Sequence, residues 1–500
     1  MSTLTALLDS GRPVVGHRPW PRVAIDAANW NAAIDALAAR RLRLVGLWAD
    51  GDTVHMAVRQ AGSAAMAVLS LVCEARRYPS VGARHAPAIR LERAIFDLWG
   101  LEADGAVDQR PWLDHGRWGV RQPPGAAKTG APPAPYAFLT AQGESLHQIA
   151  VGPIHAGIIE PGHFRFTANG ETVVRLEERL GYLHRGVEAL MVGRSPGAAA
   201  RLASRVSGDS TVAYAIAFAR AVEAALDTPA PPRADWLRAL MAELERLANH
   251  LGDIGAICND ASFSLMQAHT AILREQVLRA CATAFGHRLM MDCVTPGGVA
   301  ADLQPAGAEA VAALVHGVHA RLPLLADLYD DTASLQDRMV GTGVVTADLA
   351  DQFAAGGYVG RASGRAFDAR RSLAYAPYDA LTFETPSRQE GDVDARVWVR
   401  FDELTQSLSL IDQLLSGLPA GATAAGVPAG SGEGMALVEG FRGDILVWVR
   451  LEAGLVTRCH PRDPSWFQWP LLEACIEGNI VADFPLCNKS FNCSYAGCDL

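Results

Sequence analysis

The chain of 500 residues contains no Cys-x-x-Cys pair, and its nine cysteines, at 73, 258, 281, 293, 459, 475, 487, 493 and 498, are odd in number and follow no pairing rhythm. That usage argues against a disulfide framework. No run of about 18 uncharged apolar residues occurs, so no membrane span is expected; the best candidate, SAAMAVLSLVC from Ser63 to Cys73, is too short. No N-terminal segment combines a basic start with an apolar core, and the expectation is a chain kept in the cytoplasm, with any membrane connection made through partners. Basic excess is missing too: 44 Lys and Arg stand against 54 Asp and Glu, a net charge of −10, which excludes nucleic acid as a natural partner and supplies no basic arm for anionic lipid. No internal repeat is visible. The GYVGRASG at 357–364 lacks both the Lys-Ser/Thr of a phosphate loop and the dinucleotide-binding spacing.

What is present is apolar substance and a change of pattern along the chain. Half of the residues are hydrophobic, and the length predicts two to four units at roughly 150 residues each. Residues 1–120 mix strand patterns (LRLVGLWAD, TVHMAVR) with a helical AANWNAAIDALAARR, which predicts a small α+β domain. RQPPGAAKTGAPPAPY follows and predicts a linker over 121–140. From 141 to 500 the pattern is mainly α-helical: after a strand-and-loop opening (146–175), helices are predicted at 177–192, 205–226, 232–258, 262–287, 302–338 and 402–415, with a small β side sheet from 365–400 and 434–451. Leu237, Leu240, Leu244, Leu247 and Leu251 recur at three and four, marking one buried helix face. The stretch RVSGDST places Ser207 and Ser210 three apart where a helix begins; Asp209 or Ser210 is expected to be its N-cap.

Six motifs then occur in one order: GPIHAGIIEPGHFRF, LEERLGYLHRGVEAL, ELERLANHLGDIG, TPGGV, GRASGRAFDARRSLAYAPYDA and GDVDARVWVRFDEL. Together they resemble the large subunits of energy-converting, formate-hydrogenlyase-type nickel-iron hydrogenases, including hydrogenase-4-like proteins, and the homologous quinone-site subunit of respiratory complex I. LERAIFDLWGL and DQRPWLDHGRWG in the first 120 residues resemble the small complex I subunit fused ahead of the large one in such proteins. The resemblance spans nearly the whole chain.

In the hydrogenase members two C-x-x-C pairs supply four thiolates to nickel and iron, soft ligands that hold these metals through redox change. The motif match puts the first pair at Ser207 and Ser210 and, anchored on ADFPL in the tail, the second at Ser494 and Gly497, with thiols displaced to Cys493 and Cys498. A hydroxyl is a poor ligand for a soft metal and glycine has no side chain, so the resemblance implies an emptied metal site. Cys487, Cys493 and Cys498 have no facing cysteine between Cys73 and Cys258 and are expected to be buried, inert thiols. Only three residues follow Gly497, leaving no obvious C-terminal extension to remove.

The complex I resemblance carries its own test. There a His in the G-P-x-H loop and a Tyr near the next helix hydrogen-bond the quinone head. His155 matches the first, while the second falls near Pro196, so the tyrosine is missing; Tyr182 and Tyr214 are the substitutes considered. His155, His163 and the intervening Glu160 are the candidate catalytic, proton-handling residues. His184, Arg185, Arg361, Asp368 and Arg370 bring charge into apolar surroundings and are expected to form a structural ion network. The resemblance implies an oxidoreductase subunit on the cytoplasmic side of the inner membrane. It takes electrons from an iron-sulfur cluster in a partner subunit, works beside antiporter-like ion-translocating subunits, and passes electrons to a quinone or another small acceptor while binding no cofactor directly. A non-catalytic coupling scaffold is the alternative, and a hydrogenase the distant one.

Overall fold

The computed structural model describes residues 2–125, 129, 131–156 and 159–500. Part of the expected linker (126–128 and 130) and Gly157 and Ile158 of the GPIHAGIIEPG loop lie outside them.

Helix α1 (Ala27–Ala38) is capped by Asp26 and precedes strands β1 (Leu42–Asp50), β2 (Thr53–Gln60) and β3 (Met66–Val72), which form an antiparallel meander extended by two short strands. Helix α2 (Ile89–Trp99) ends in a left-handed Gly100. This part is not closed off from the rest. The two-residue strand His17–Arg18 pairs in parallel with a strand more than four hundred residues later, and Trp48 and His55 stack against Trp448 and His460.

Beyond residue 140, β4 (Leu146–Val151), β5 (His163–Asn169) and β6 (Thr172–Arg179) make a three-stranded antiparallel sheet. The short helices α3 (Val187–Met191) and α4 (Pro196–Ala203) lead to the buried α5 (Thr211–Leu226). Then come the long α6 (Pro232–Asp260) and α7 (Ser264–Phe285), followed by α8 (Pro305–Asp330), α9 (Ala333–Met339), α10 (Gly357–Ala362) and α11 (Val393–Gly417). Strands β7 (Gly432–Gly440), β8 (Gly443–Glu452) and β9 (Leu455–Arg462) form the side sheet, and α12 (Ser465–Cys475), α13 (Phe484–Phe491) and α14 (Tyr495–Asp499) carry the tail.

The leucine face predicted for α6 is buried throughout, packed against α7 and α11. Four readings are corrected. The helix expected over 177–192 is mostly the end of β6 and a turn, because Glu177, Glu178 and Arg179 are buried strand residues whose partners come from the first 120 residues. No strand forms over 365–400; that segment is short helical turns and loop up to Asp392 and then the start of α11, held by the ion pairs of Arg370 with Asp368 and Glu243 rather than by a ladder. The single helix expected over 302–338 is two, α8 and α9, and the one expected from 402 begins at Val393, capped by Asp392. Among the described residues α8 alone is long and apolar enough to cross a membrane by length and composition, and it packs along α7 and α11.

Candidate functional site

The two loops that sequence reading pairs across nearly three hundred residues do meet. Ser207 Oγ lies 2.9 Å from Ser494 Oγ, both buried. Ser207 donates to Asp209 Oδ1 at 2.9 Å, and Arg442 holds Asp209 through both guanidinium nitrogens, one bond at 2.7 Å, while reaching Ser210 Oγ at 3.2 Å. Burial pushes the Asp209 carboxyl up, but the Arg442 charge and its hydrogen bonds outweigh it, and the group sits below its ordinary range.

The capping expectation is half corrected. Ser210 precedes α5 without a side-chain cap bond; the free N–H groups of Val212 and Ala213 are taken by the Glu245 carboxylate of α6, at 2.7 and 3.1 Å. Ser494 is the serine that caps, accepting from Gly497 N–H at 2.9 Å as α14 begins. At Gly497 no side chain has room, since a Cβ there would lie 2.5 Å from Asp463 Oδ2. That carboxylate is fixed by Tyr214 O–H at 2.6 Å and by the Ser465 N–H at 2.8 Å. Three hydroxyls and a glycine pressed on a carboxylate do not fit a nickel-iron centre, which needs four thiolates converging on an open space. Cys493 and Cys498 are buried, and burial pushes both thiols well up, away from the ligating thiolate form.

The opening loop borders this closed region. His155 Nε2 is 3.3 Å from the hydroxyl of Tyr495, the residue next to Ser494, and Asn488 Nδ2 donates to the same hydroxyl at 3.4 Å. Glu160 accepts the Ala496 N–H at 3.1 Å and ties the loop to the tail. Burial, and then the Lys489 charge, lower the His155 pKa, so its ring is neutral at pH 7; its Nδ1 is buried without a hydrogen-bond partner among the described residues. Ile154 beside it is 89 % exposed, so the pair stands at a rim. Sequence reading missed Tyr495 because no local pattern links it to His155.

The other candidates separate. His163 spends Nδ1 on Gly152 O (3.2 Å) and Nε2 on Arg165 (3.3 Å), which leaves neither nitrogen for the rim. Pro196 opens α4; Tyr182 packs edge-on against His115 at 4.6 Å, and Tyr214 is buried on Asp463, so neither stands beside His155. Of the five residues grouped as an ion network, Arg361, Asp368 and Arg370 do join Glu243, Glu403 and Glu439 in one buried cluster with Arg246 and His250. His184 and Arg185 lie elsewhere, bonded to the main-chain oxygens of Asp499, Arg205 and Val206. They tie the tail and the Ser207 loop to the turn after β6.

Comparison with known proteins places the chain among relatives. Residues 185–252 match the family described as "Nickel-dependent hydrogenase", and residues 261–429 match "Respiratory-chain NADH dehydrogenase, 49 Kd subunit". The chain is 31 % identical over 355 residues to the carbon monoxide-induced hydrogenase of Rhodospirillum rubrum, covering 70 % of this chain and 98 % of that one. It is 30 % identical to formate hydrogenlyase subunit 5 of Escherichia coli, covering 84 % and 77 %, and 29 % identical to an NADH-quinone oxidoreductase protein of Bacteroides thetaiotaomicron, covering 68 % and 65 %. Among solved structures it is similar to a chain of the membrane-bound sulfane sulfur reductase, an archaeal respiratory membrane complex, with a TM-score of 0.68 and 28 % identity over 71 % of this chain and 99 % of that one.

Proposed function

We infer the function from one premise: the chain belongs to the family that joins the large subunits of membrane-bound hydrogenases to their counterpart in complex I-type NADH-quinone oxidoreductases. It works as a subunit of a membrane-associated, complex I-like respiratory complex. Within it, the chain is an electron-accepting end without a nickel-iron centre, reducing a quinone or another small carbonyl acceptor with electrons from an iron-sulfur partner subunit. Ion-translocating membrane subunits complete the complex, and the chain lies on their cytoplasmic side.

The observation that carries this reading is the His155–Tyr495 pair, 3.3 Å apart at the rim of the closed loop pair. Reducing a quinone-type carbonyl adds two electrons and two protons, and negative charge develops on oxygen. Donors placed where that charge appears lower the barrier. Neutral His155 and the Tyr495 hydroxyl are such donors, and Tyr495 keeps its proton firmly because burial raises its pKa. Asn488 orients the hydroxyl, and Glu160 fixes the loop that carries His155. The pair supplies what the sequence lacks at Pro196: a tyrosine opposite the G-P-x-H histidine, delivered by the tail.

The sealed interior behind the rim supports the second reading, a coupling scaffold that binds no acceptor. The test is acceptor reduction by the assembled complex, wild type against His155→Ala and Tyr495→Phe, normalised to complex on a native gel. Loss of about tenfold or more with assembly intact fits the loss of a proton donor; equal rates favour the scaffold.

A further inference from the structure

Tyr182, the tyrosine that does not reach His155, borders a different cavity, which neither His155 nor Tyr495 lines. It has a volume of about 430 Å³ and lies between the loop 111–116, the turn after β6 and the segment 132–138. Arg179, the last residue of β6, stands directly opposite His163 of β5, so both side chains leave one face of the sheet and form part of the cavity wall. Gly181, at φ +95°, lets the chain turn there, since a Cβ would lie 2.7 Å from both His115 Nε2 and Trp112 O.

The cation in this wall is unbalanced. Among the described residues, every buried arginine except Arg179 and Arg396 touches a carboxylate. Arg396 spends each guanidinium nitrogen on a neutral acceptor. Arg179 bonds through Nη1 alone, to the main-chain oxygens of Pro111 (2.6 Å) and Trp112, which leaves Nε and Nη2 without an acceptor among the described residues. Burial pulls its pKa down to about 10, and a buried cation with no counter-charge is costly. Asp114, the carboxylate in the cavity lining, is already engaged, accepting the Gly116 N–H at 2.7 Å and facing Arg121 at 3.2 Å.

The remaining lining groups define what an anion there must carry. The Arg179 guanidinium lies over the Tyr136 ring, 4.5 Å from its centre, and Phe138 meets Tyr136 edge-on at 4.9 Å and His163 at 4.9 Å. A second aromatic pair, His115 and Tyr182, packs at 4.6 Å. His115 donates its Nε2–H to Leu180 O at 2.8 Å, and burial pushes its pKa down to about 4, so at pH 7 its Nδ1 keeps a lone pair. The Tyr182 hydroxyl has no hydrogen-bond partner among the described residues. Flat ring faces, a guanidinium edge, an imidazole acceptor and a hydroxyl together select a planar ring that bears a carboxylate and a hydroxyl.

We propose that this cavity binds a small aromatic hydroxy-carboxylate, its carboxylate on the Nε–Nη2 edge of Arg179 and its ring among Tyr136, Phe138 and Tyr182. The ligand supplies the counter-charge that the fold withholds from Arg179. It also bridges the loop 111–116 to the sheet β4–β6, the two parts of the chain that meet at this cavity.

The test is isothermal titration of the assembled complex with 4-hydroxybenzoate at pH 7. Saturable binding of one molecule per chain is expected. Arg179→Gln, which loses a charge-assisted pair, should weaken it about tenfold or more, and Tyr182→Phe, which loses one neutral hydrogen bond, about fivefold. 4-Hydroxybenzyl alcohol, the same ring without the charge, should bind the wild type about tenfold more weakly than the acid. Tyr182→Phe keeps the packing on His115, so its assembly on a native gel and its unfolding midpoint should equal the wild type. That variant and the alcohol decide the matter even where Arg179→Gln, deprived of its Pro111 and Trp112 bonds, fails to assemble. No saturable binding at millimolar acid overturns the proposal. So does equal affinity of wild type and Tyr182→Phe, equal affinity for acid and alcohol, or binding that His155→Ala abolishes.

Discussion

Ser494 and Tyr495 are neighbours in the chain and belong to two different environments. Ser494 faces inward, to Ser207, Gly497 N–H and the Ser465 hydroxyl, in a region where every polar group named above has a partner. Tyr495, itself buried, meets His155, where a ring nitrogen is left without one among the described residues. Satisfied buried networks make rigid structure, while unsatisfied groups at a rim are where ligands act. On the proposed reading, the interior between the two loops is filled by protein and the acceptor chemistry lies one residue away, at its edge.

The strongest way to break the inner region is to remove its cation. Arg442→Ala removes the charge-assisted bonds to Asp209, whose side chain is 36 % exposed and so partly screened by water, which should cost about 1.5–3 kcal/mol and weaken assembly along with acceptor reduction. Thermal unfolding and native gels measure both. The same pair sets an acid limit. The folded Asp209 pKa is depressed, so its stabilisation is present above the ordinary carboxylate range, near 3.8, and is lost as pH falls through the folded value.

Next in size is Gly497→Cys. Its Cβ meets the Asp463 carboxylate, so overpacking should cost about 1–3 kcal/mol, and elemental analysis should still find no stoichiometric nickel, even with Ser207, Ser210 and Ser494 also changed to Cys. Near one nickel per chain would show that the interior reopens. At the rim, His155→Ala should lower acceptor reduction about tenfold, roughly 1.4 kcal/mol of barrier, with the unfolding midpoint unchanged.

How far the sequence foretold this division depends on distance along the chain. The α6 leucine face was legible because the 3.6-residue period is local, and the meeting of Ser207 with Ser494 was legible because motif order carries long-range information. Tyr495 was not, since its partner is 340 residues away and no period connects them. The β6 end and the 365–400 loop were misread for a related reason. Their charged residues are buried by partners such as Arg90, Glu243 and Glu439, which no window of local sequence contains.

Glu245 sharpens the comparison through pH. Burial pushes its carboxyl to about 8 from 4.5, despite the two N–H groups it caps. The folded state therefore binds its proton more tightly than the unfolded state, and this group's contribution to stability declines as pH rises from 4.5 towards 8. Glu245→Gln keeps an acceptor for the α5 N–H groups and removes the ionisation. Unfolding free energies measured across that window should fall less steeply in the variant, and parallel curves would place the strain elsewhere.

The smallest effect is the most discriminating. Ser494→Ala deletes the cap on α14 and the bond to Ser207, but leaves Asp209 its Arg442 and leaves Tyr495 its His155. Losing one cap costs about 1 kcal/mol. Ser207 retains Asp209 as acceptor, so no buried hydroxyl is orphaned and the penalty should not grow beyond that. If inner and outer regions are separate in function, this variant unfolds slightly earlier while its acceptor reduction per assembled complex equals the wild type. A tenfold loss of rate would instead mean that α14 must be held by Ser494 for Tyr495 to meet His155, and the two regions would have to be treated as one site.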